Sequence, residues 1–408
     1  MIKEVDGGIC AAQGFLAAGV HCGIRKNRTK RDLGLIISEV PAAAAAIYTK
    51  NLVKGAPIAI TKKHIADGFA RGVIVNSGNA NTCNADGEEI AEAMCRLAAE
   101  GSGSFSLAPE DFMIASTGVI GQPLPIEPIA NGIPMLYSEL SHDGSNNTAE
   151  AIMTTDTKKK EIAVSFEVGG KTCTIGGIAK GSGMIHPNMA TMLVFLTTDA
   201  SIDSGLLHKA LRNDADNTFH MISVDGDTST NDMVCIMANG MAGNEKITAE
   251  GESYDAFCAA LSYVTSFLCR AIAADGEGAS HLLTCRVQGA SDITIARVVA
   301  KSVICSSLTK AAIFGADANW GRVLCAIGYA GVDVDVTKID VDFVSDKGRL
   351  PVCRSGAGVP FDEDIAKVIL TEKEVIVDIF LNSGNANATA WGCDLTYDYV
   401  KINGDYRT

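Results

Sequence analysis

Lys180-Gly181-Ser182-Gly183-Met184-Ile185-His186-Pro187-Asn188-Met189-Ala190-Thr191-Met192-Leu193-Val194-Phe195 is the stretch on which the reading of this chain turns. A polar segment punctuated by Gly and Pro stops at Thr191, and an apolar, strand-like run begins. A threonine so placed suits a chain that cuts the bond before it and then uses the freed residue as a nucleophile. A threonine hydroxyl is weak alone and needs an adjacent base, which a freed α-amine supplies. The reference pKa of that amine, about 7.7–8.0, lies near working pH, where a general base is most effective. The same letters also fit a plain loop-to-strand junction, because β-branched residues favour strands.

Composition narrows the classes. A chain of 408 residues is long for one core, so two or three packed units are expected. Apolar residues at 47% and charged ones at 20% describe a globular protein rather than a disordered one. The net charge of −14 argues against a nucleic-acid partner, whose phosphates need a basic surface. A small carboxylate substrate stays possible, because local charge can oppose the overall sign. The thirteen cysteines contain no C-x-x-C, and the seven histidines are scattered, so no metal site is expected. Met1–Phe15 has no secretory pattern, and the thiols read as reduced, buried and cytoplasmic.

Ala256–Ala274 is apolar enough to raise the question of a membrane span. Phe257, Leu261, Val264, Leu268 and Ala271 recur at helical spacing, and Arg270 interrupts the run, so a buried core helix is expected and no membrane partner.

Strand-like and helical runs are interleaved in both halves. Val73–Val75 leads into a polar turn and then a helix over Gly87–Glu100. Ile162–Val168, the turn Gly169-Gly170 and Lys171–Ile178 read as a β-hairpin that delivers the Lys180–Thr191 loop. A helix follows around Ser204–Thr218, and further strands are expected at Thr284–Val287, Val332–Val336, Ile339–Val344, Val375–Leu381 and Tyr397–Ile402. The class is α/β or α+β, with layered sheets sandwiched by helices. Asn-Ser-Gly-Asn-Ala-Asn occurs at 76–81 and again at 382–387; both copies read as strand-ending turns without assigned function.

Two apparent motifs fail. Gly169-Gly170-Lys171-Thr172 lacks the earlier glycine of a phosphate-binding loop, since position 165 is Ser. Asp225-Gly226-Asp227 opens like a calcium loop, but Thr230 and Ile236 stand where Gly and Glu are needed. What remains is hydroxyl chemistry. Ala115-Ser116-Thr117-Gly118-Val119-Ile120-Gly121 ends an apolar run in a glycine-punctuated turn. Its backbone N–H groups and the Thr117 hydroxyl can face the oxyanion of a tetrahedral intermediate, although an ordinary strand-to-turn junction looks the same.

Long strings in order, from Gly14–Val20 through Thr154–Thr157, Val224–Asp232, Gly315–Arg322 and Ala388–Thr396 to Tyr399–Thr408, resemble the glutamate N-acetyltransferase (ornithine acetyltransferase) family of arginine biosynthesis. The resemblance spans nearly the whole chain. It implies an N-terminal-nucleophile chain that cuts itself between Ala190 and Thr191, giving an alpha chain 1–190 and a beta chain 191–408. It implies Thr191 as nucleophile, Thr117 and Gly118 as the oxyanion hole, and substrate contacts from Thr154, Lys180, Thr191, Glu277, Asn403 and Thr408. The residue chemistry suits an amino acid, since Lys180 offers charge to a carboxylate and Glu277 can receive an ammonium.

The implied reaction moves the acetyl group of N2-acetyl-L-ornithine to L-glutamate through acetyl-Thr191, without a metal or resident cofactor. Acetyl-CoA stays open as a second donor, and the family suggests a heterotetramer of two alpha and two beta chains. Lys158-Lys159-Lys160 and Leu381–Asn387 depart from the family pattern, away from Thr191. The alternatives are a self-processed N-terminal-nucleophile amidohydrolase, with water as acceptor, and a small-molecule binding protein that never cuts itself.

Overall fold

The computed structural model describes residues 1–186 and 192–404. Ala190, Thr191 and Thr408, singled out above, lie outside the described residues. Two compact units are present: Met1–Gly181, 192–215 and Thr228–Leu268 in the first, and 182–186, Asp216–Asp227 and 269–404 in the second.

The first unit is built on a nine-stranded sheet. Its strands are β1 (Lys3–Val5), β2 (Phe15–Val20), β3 (Leu33–Tyr48), β4 (Phe69–Asn76), β5 (Phe112–Ser116), β6 (Lys160–Val168), β7 (Lys171–Lys180), β8 (Leu193–Thr198) and β10 (Met233–Ala238), while β9 (Ile222–Ser223) belongs to the other sheet. The order is β1-β6-β7-β8-β10-β3-β4-β5, with β2 also paired to β3. The expected hairpin is β6–β7, closed by Gly169 and Gly170 at φ +55° and +77°, the left-handed pair that two-residue hairpin turns require. Strand β8 pairs antiparallel with β7, Leu193 opposite Lys180, and parallel with β10, Leu193 opposite Met233.

At the centre of this sheet both faces are buried, so β5, β8 and β10 read as unbroken apolar runs rather than alternations. Val73 and Val75 join one core with Ile36, Phe195 and Cys235. Ile74, between them, joins a second core with Leu35, Ile114 and Met94. Met94 comes from the expected helix Gly87–Glu100, which turns Ala91, Cys95 and Ala98 to the same side. The helix Glu252–Ala274 is, among the described residues, long and apolar enough to cross a membrane. Its stripe of Phe257, Leu261, Val264 and Leu268 is fully buried, as a core helix requires.

The second unit carries a seven-stranded sheet of β9, β11 (Leu282–Ala290), β12 (Asp340–Ser345), β13 (Gly348–Arg354), β14 (Ala357–Gly358), β15 (Glu374–Phe380) and β16 (Ala386–Cys393), in the order β14-β13-β12-β15-β11-β16-β9. The helix Ile293–Cys305 packs over β11 and β16, capped by Asp292, whose carboxylate accepts from the Thr294 and Ile295 N–H groups. Layered sheets and helices are thus the architecture of both units. All thirteen cysteines lie among the described residues, and none is in a disulfide.

Two expected strands are not strands. Val332–Val336 contains no strand; Asp335 accepts from Thr337 N–H and starts a short 3-10 turn, Val336–Lys338. Tyr397–Gly404 is a helix, and Thr396 Oγ1 accepts from Tyr399 N–H at its start. In both places a side-chain cap outweighed β-branched and aromatic propensity, which is a weak preference where little is buried.

The sheet of the first unit mixes strands from before residue 187 and after residue 191. A chain cut anywhere in that interval is expected to yield two products that co-elute in native size-exclusion chromatography and part only in denaturant. Separate elution without denaturant would show that the β7–β8 and β10–β3 pairings do not hold the products together.

Candidate active site

Strand β5 ends at Ser116, and the chain then turns through Thr117 and Gly118. Thr117 is 4% exposed, and its N–H donates to the Asn76 carbonyl at 3.0 Å. Gly118 has φ +130°, and a Cβ there would lie 2.7–2.9 Å from the backbone of Gly78 and Asn79. A side chain at 118 is therefore excluded twice, by conformation and by contact.

The wall that forbids it is the first Asn-Ser-Gly-Asn-Ala-Asn copy. Asn76 Nδ2 donates to Ser116 Oγ at 2.7 Å, while its Oδ1 accepts from Gly78 and Asn79 N–H at 3.2 and 3.1 Å. Asn79 Oδ1 accepts from Asn81 N–H at 2.7 Å, and Ala80 N–H donates to the Val119 carbonyl at 3.0 Å. Buried amides in a closed network hold a turn more rigidly than solvated ones, because each unmade bond would be costly. The second copy, 382–387, is mostly exposed and runs from the turn after β15 into the start of β16.

A charged cluster lies at the end of β7. Lys180 is 2% exposed, and Lys160 and Asp156 are also buried. Asp156 Oδ1 accepts from Lys160 Nζ and from Gly181 N–H, both at 2.7 Å, and Oδ2 accepts from Thr154 N–H at 3.0 Å. Burial pushes the Asp156 carboxyl upward, but the charges of Lys180 and Lys160 and these hydrogen bonds outweigh it and hold the pKa at about 2. Thr154, half-buried, is thus tied to the carboxylate that faces Lys180. Lys180 is a buried, compensated charge and not a solvated one.

Beyond residue 191, Met192 N–H donates to Asp232 Oδ1 at 3.0 Å. Asp232 is fully buried, which pushes its carboxyl well above the ordinary value; the Met192 N–H, the Thr49 and Ser229 hydroxyls and the charge of Lys180 oppose that rise.

In the second unit Glu277 is buried, and its Oε2 accepts from Asn403 Nδ2 at 2.7 Å. Glu277 N–H donates to the Ser182 carbonyl at 2.9 Å, and a Cβ on Gly183 would fall 2.3–2.5 Å from the Glu277 carboxyl group. Met184 and Ile185 N–H donate to the two oxygens of Asp225 at 2.6 and 2.8 Å, and Tyr399 Oη donates to Asp225 Oδ2 at 3.3 Å. The structure therefore brings Glu277 and Asn403 together, as it does Thr154 with the carboxylate facing Lys180. Among the described residues no group of three or more His, Cys, Asp or Glu side chains is arranged to hold a metal.

Residues 16–408 match the ArgJ family. The chain belongs to that family. It is 52% identical to the arginine biosynthesis bifunctional protein ArgJ of Symbiobacterium thermophilum, with all of both chains covered. It is 49% identical to the protein of the same name from Caldanaerobacter subterraneus subsp. tengcongensis, again over all of both chains. A solved structure, the ornithine acetyltransferase of Mycobacterium tuberculosis complexed with ornithine, is 33% identical over 46% of this chain and 98% of that one, with a TM-score of 0.43. The resemblance drawn from the sequence strings, to the acetyltransferase family of arginine biosynthesis, is borne out.

The sequence assigned no site role to Asp156, Asn231 or Asp232, and Asp225 was met only in the rejected calcium-loop pattern. Their signal was weak: acidic and amide residues beside loops, which on their own read as turn formers. The buried Asp156 cluster has a measurable consequence. A carboxyl whose folded pKa is depressed to about 2 contributes stability that is complete above its ordinary value near 4 and is lost as pH falls toward 2. Asp156→Asn is expected to cost about 3–5 kcal/mol in urea unfolding at pH 7, the usual loss when one partner of a buried ion pair is removed. The gap from wild type should narrow between about pH 4 and pH 2. An unchanged urea midpoint at pH 7 would show that the cluster is not holding this loop.

Proposed function

We propose that the chain is a glutamate N-acetyltransferase that carries the acetyl group of N2-acetyl-L-ornithine to L-glutamate on Thr191, after cutting itself between Ala190 and Thr191. The observation that carries this reading is how the chain resumes after residue 191. Met192 N–H is held by the buried Asp232, and the next residue begins β8, a strand hydrogen-bonded along both edges. A threonine joined covalently to that strand stays attached to a fixed support when the bond before it opens. Positioning of this kind is what turns a weak hydroxyl into an effective nucleophile.

In maturation, Thr191 Oγ attacks the Ala190 carbonyl carbon, and the acyl group shifts from nitrogen to oxygen. Water then cleaves the ester, releasing the Ala190 carboxylate and the Thr191 amine. In turnover that amine takes the hydroxyl proton as Oγ attacks the acetyl carbon of N2-acetyl-L-ornithine. The Thr117 hydroxyl and the Gly118 N–H stabilise the oxyanion, and the proton passes to the departing ornithine amine. Glutamate then enters, and its amine attacks acetyl-Thr191, giving N-acetylglutamate by a ping-pong route.

Lys180 and Thr154 are proposed to contact substrate, Lys180 as a point charge toward a carboxylate. Glu277, with Asn403 donating to it, is proposed to receive an ammonium, and Thr408 is retained as a substrate contact. Acetyl-CoA is proposed as a second donor, in keeping with relatives named bifunctional proteins. The assembly proposed is a cytoplasmic heterotetramer of two alpha and two beta chains, with no resident cofactor.

Denaturing intact-mass analysis of the purified protein is expected to show two species of about 20 and 23 kDa, dividing 42.6 kDa after residue 190, while Thr191→Ala remains one inactive chain. A lone species of full mass from wild type, or an active Thr191→Ala variant, would overturn the nucleophile. Thr117→Ala is expected to lower turnover by roughly 10²–10³, the usual cost of one oxyanion donor. Wild-type turnover in that variant would remove Thr117 from the mechanism. Release of acetate in place of glutamate-dependent transfer would identify an amidohydrolase.

A further inference from the structure

Adjacent residues of one loop hold both sides of the proposed chemistry in the first unit. Asn231 Nδ2 donates to the Ala80 carbonyl at 2.6 Å and to the Ser116 carbonyl at 2.9 Å. Ser116 is the residue before Thr117, and its carbonyl belongs to the peptide unit that carries the Thr117 N–H. Ala80 lies in the turn that walls off Gly118. The Asn231 amide is itself oriented: its Oδ1 accepts from Thr82 Oγ1 at 2.6 Å and from Thr230 Oγ1 at 2.5 Å. Its donors and acceptors are thus all engaged in a site that is 6% exposed. Gly55 leaves it room, since a Cβ there would lie 2.5 Å from Asn231 Nδ2.

The next residue, Asp232, does the corresponding work on the other side. Its Oδ1 accepts from Met192 N–H at 3.0 Å, one peptide unit from Thr191. The whole side chain is buried. Its own carbonyl accepts from Thr49 N–H at 3.1 Å, which ties the loop to the end of β3.

We propose that Asn231 and Asp232 are positioning residues that set the register between the oxyanion turn and the chain start at the nucleophile, Asn231 through the Ser116 and Ala80 carbonyls and Asp232 through the Met192 N–H. The inference rests on Thr191 and Thr117 acting as proposed above. Because the two residues are adjacent in sequence, a displacement of either is passed to the other through one stretch of backbone. A reacting centre displaced by about 1 Å loses roughly 10²-fold in rate, so a clamp of this kind acts on the chemical step rather than on substrate affinity.

The experiment is a double-mutant cycle on the purified enzyme, read as kcat and KM for N2-acetyl-L-ornithine. Asn231→Asp keeps the shape but presents an acceptor where two carbonyls need a donor. It is expected to lower kcat roughly 10- to 100-fold with KM within about twofold. Combined with Thr117→Ala, it should add almost no further loss, since both changes act through one turn. Losses that multiply, or a folded Asn231→Asp variant with wild-type kcat, would overturn the proposal for Asn231.

Should Asn231→Asp not fold, Thr82→Val removes a hydroxyl that orients the amide, and a smaller loss with the same non-additivity is expected. For Asp232, Asp232→Ala should slow self-cleavage and transfer together, and Asp232→Asn, which keeps an acceptor for Met192 N–H, should restore both. Equal failure of the Asn and Ala variants would show that charge, not the hydrogen bond, is what matters, and would overturn this half of the proposal. A wild-type kcat in Thr117→Ala alone would instead defeat the underlying reading, so the two failures are told apart.

Discussion

Strand β8 cannot be removed from the first sheet without breaking hydrogen bonds on both of its edges, and the rest of the first unit is arranged around that fact. It lies between β7, which precedes residue 187, and β10, which follows residue 191. A backbone group stripped of its partner inside such a sheet has no water to turn to, and each such loss is costly. The sheet therefore allows the covalent chain to be opened near its centre while the strands on either side of the opening stay paired. The self-cleavage proposed above would loosen most folds, but here the noncovalent ladder is placed to carry the connection.

The polar groups near this strand follow the same economy. Asp156 compensates two buried lysines, and its depressed pKa reports that the pairing outweighs the penalty of burial. Asp232 is the opposite case: burial dominates, and its carboxyl rises. Two aspartates that feel the same lysine thus shift in opposite directions, because one has a directly bonded ammonium while the other is met by neutral donors only. Environments that push like groups apart are characteristic of functional sites.

Much of the architecture was legible. The helix Gly87–Glu100 and the hairpin closed by Gly169-Gly170 carry local signals, a 3.6-residue apolar period and a two-glycine turn, that tertiary packing had no reason to override. The failures at Val332–Val336 and Tyr397–Ile402 come from segments that bury little. There a single cap from Asp335 or Thr396 outweighs propensity. Of the candidate site, Thr117, Gly118, Lys180, Glu277 and its partner Asn403 could be named from strings of letters, but the Asp156 carboxylate beside Lys180 and the Asn231 amide behind the Thr117 turn could not. Asn231 and Asp232 looked like turn residues because nothing local tells a solvated amide from one buried between two carbonyls.

The repeated Asn-Ser-Gly-Asn-Ala-Asn states the division most plainly. By itself the sequence determined that each copy ends a strand, since turn-forming residues follow an apolar run, and it determined the family through long ordered strings. Only the tertiary structure decided that the copy at 76–81 is buried against the Thr117–Gly118 turn while the copy at 382–387 faces solvent. The physical reason is that a hydrogen-bonding side chain has no fixed meaning along the chain. Its role is set by which distant backbone groups the packed strands leave within about 3 Å of it, and whether water can reach them.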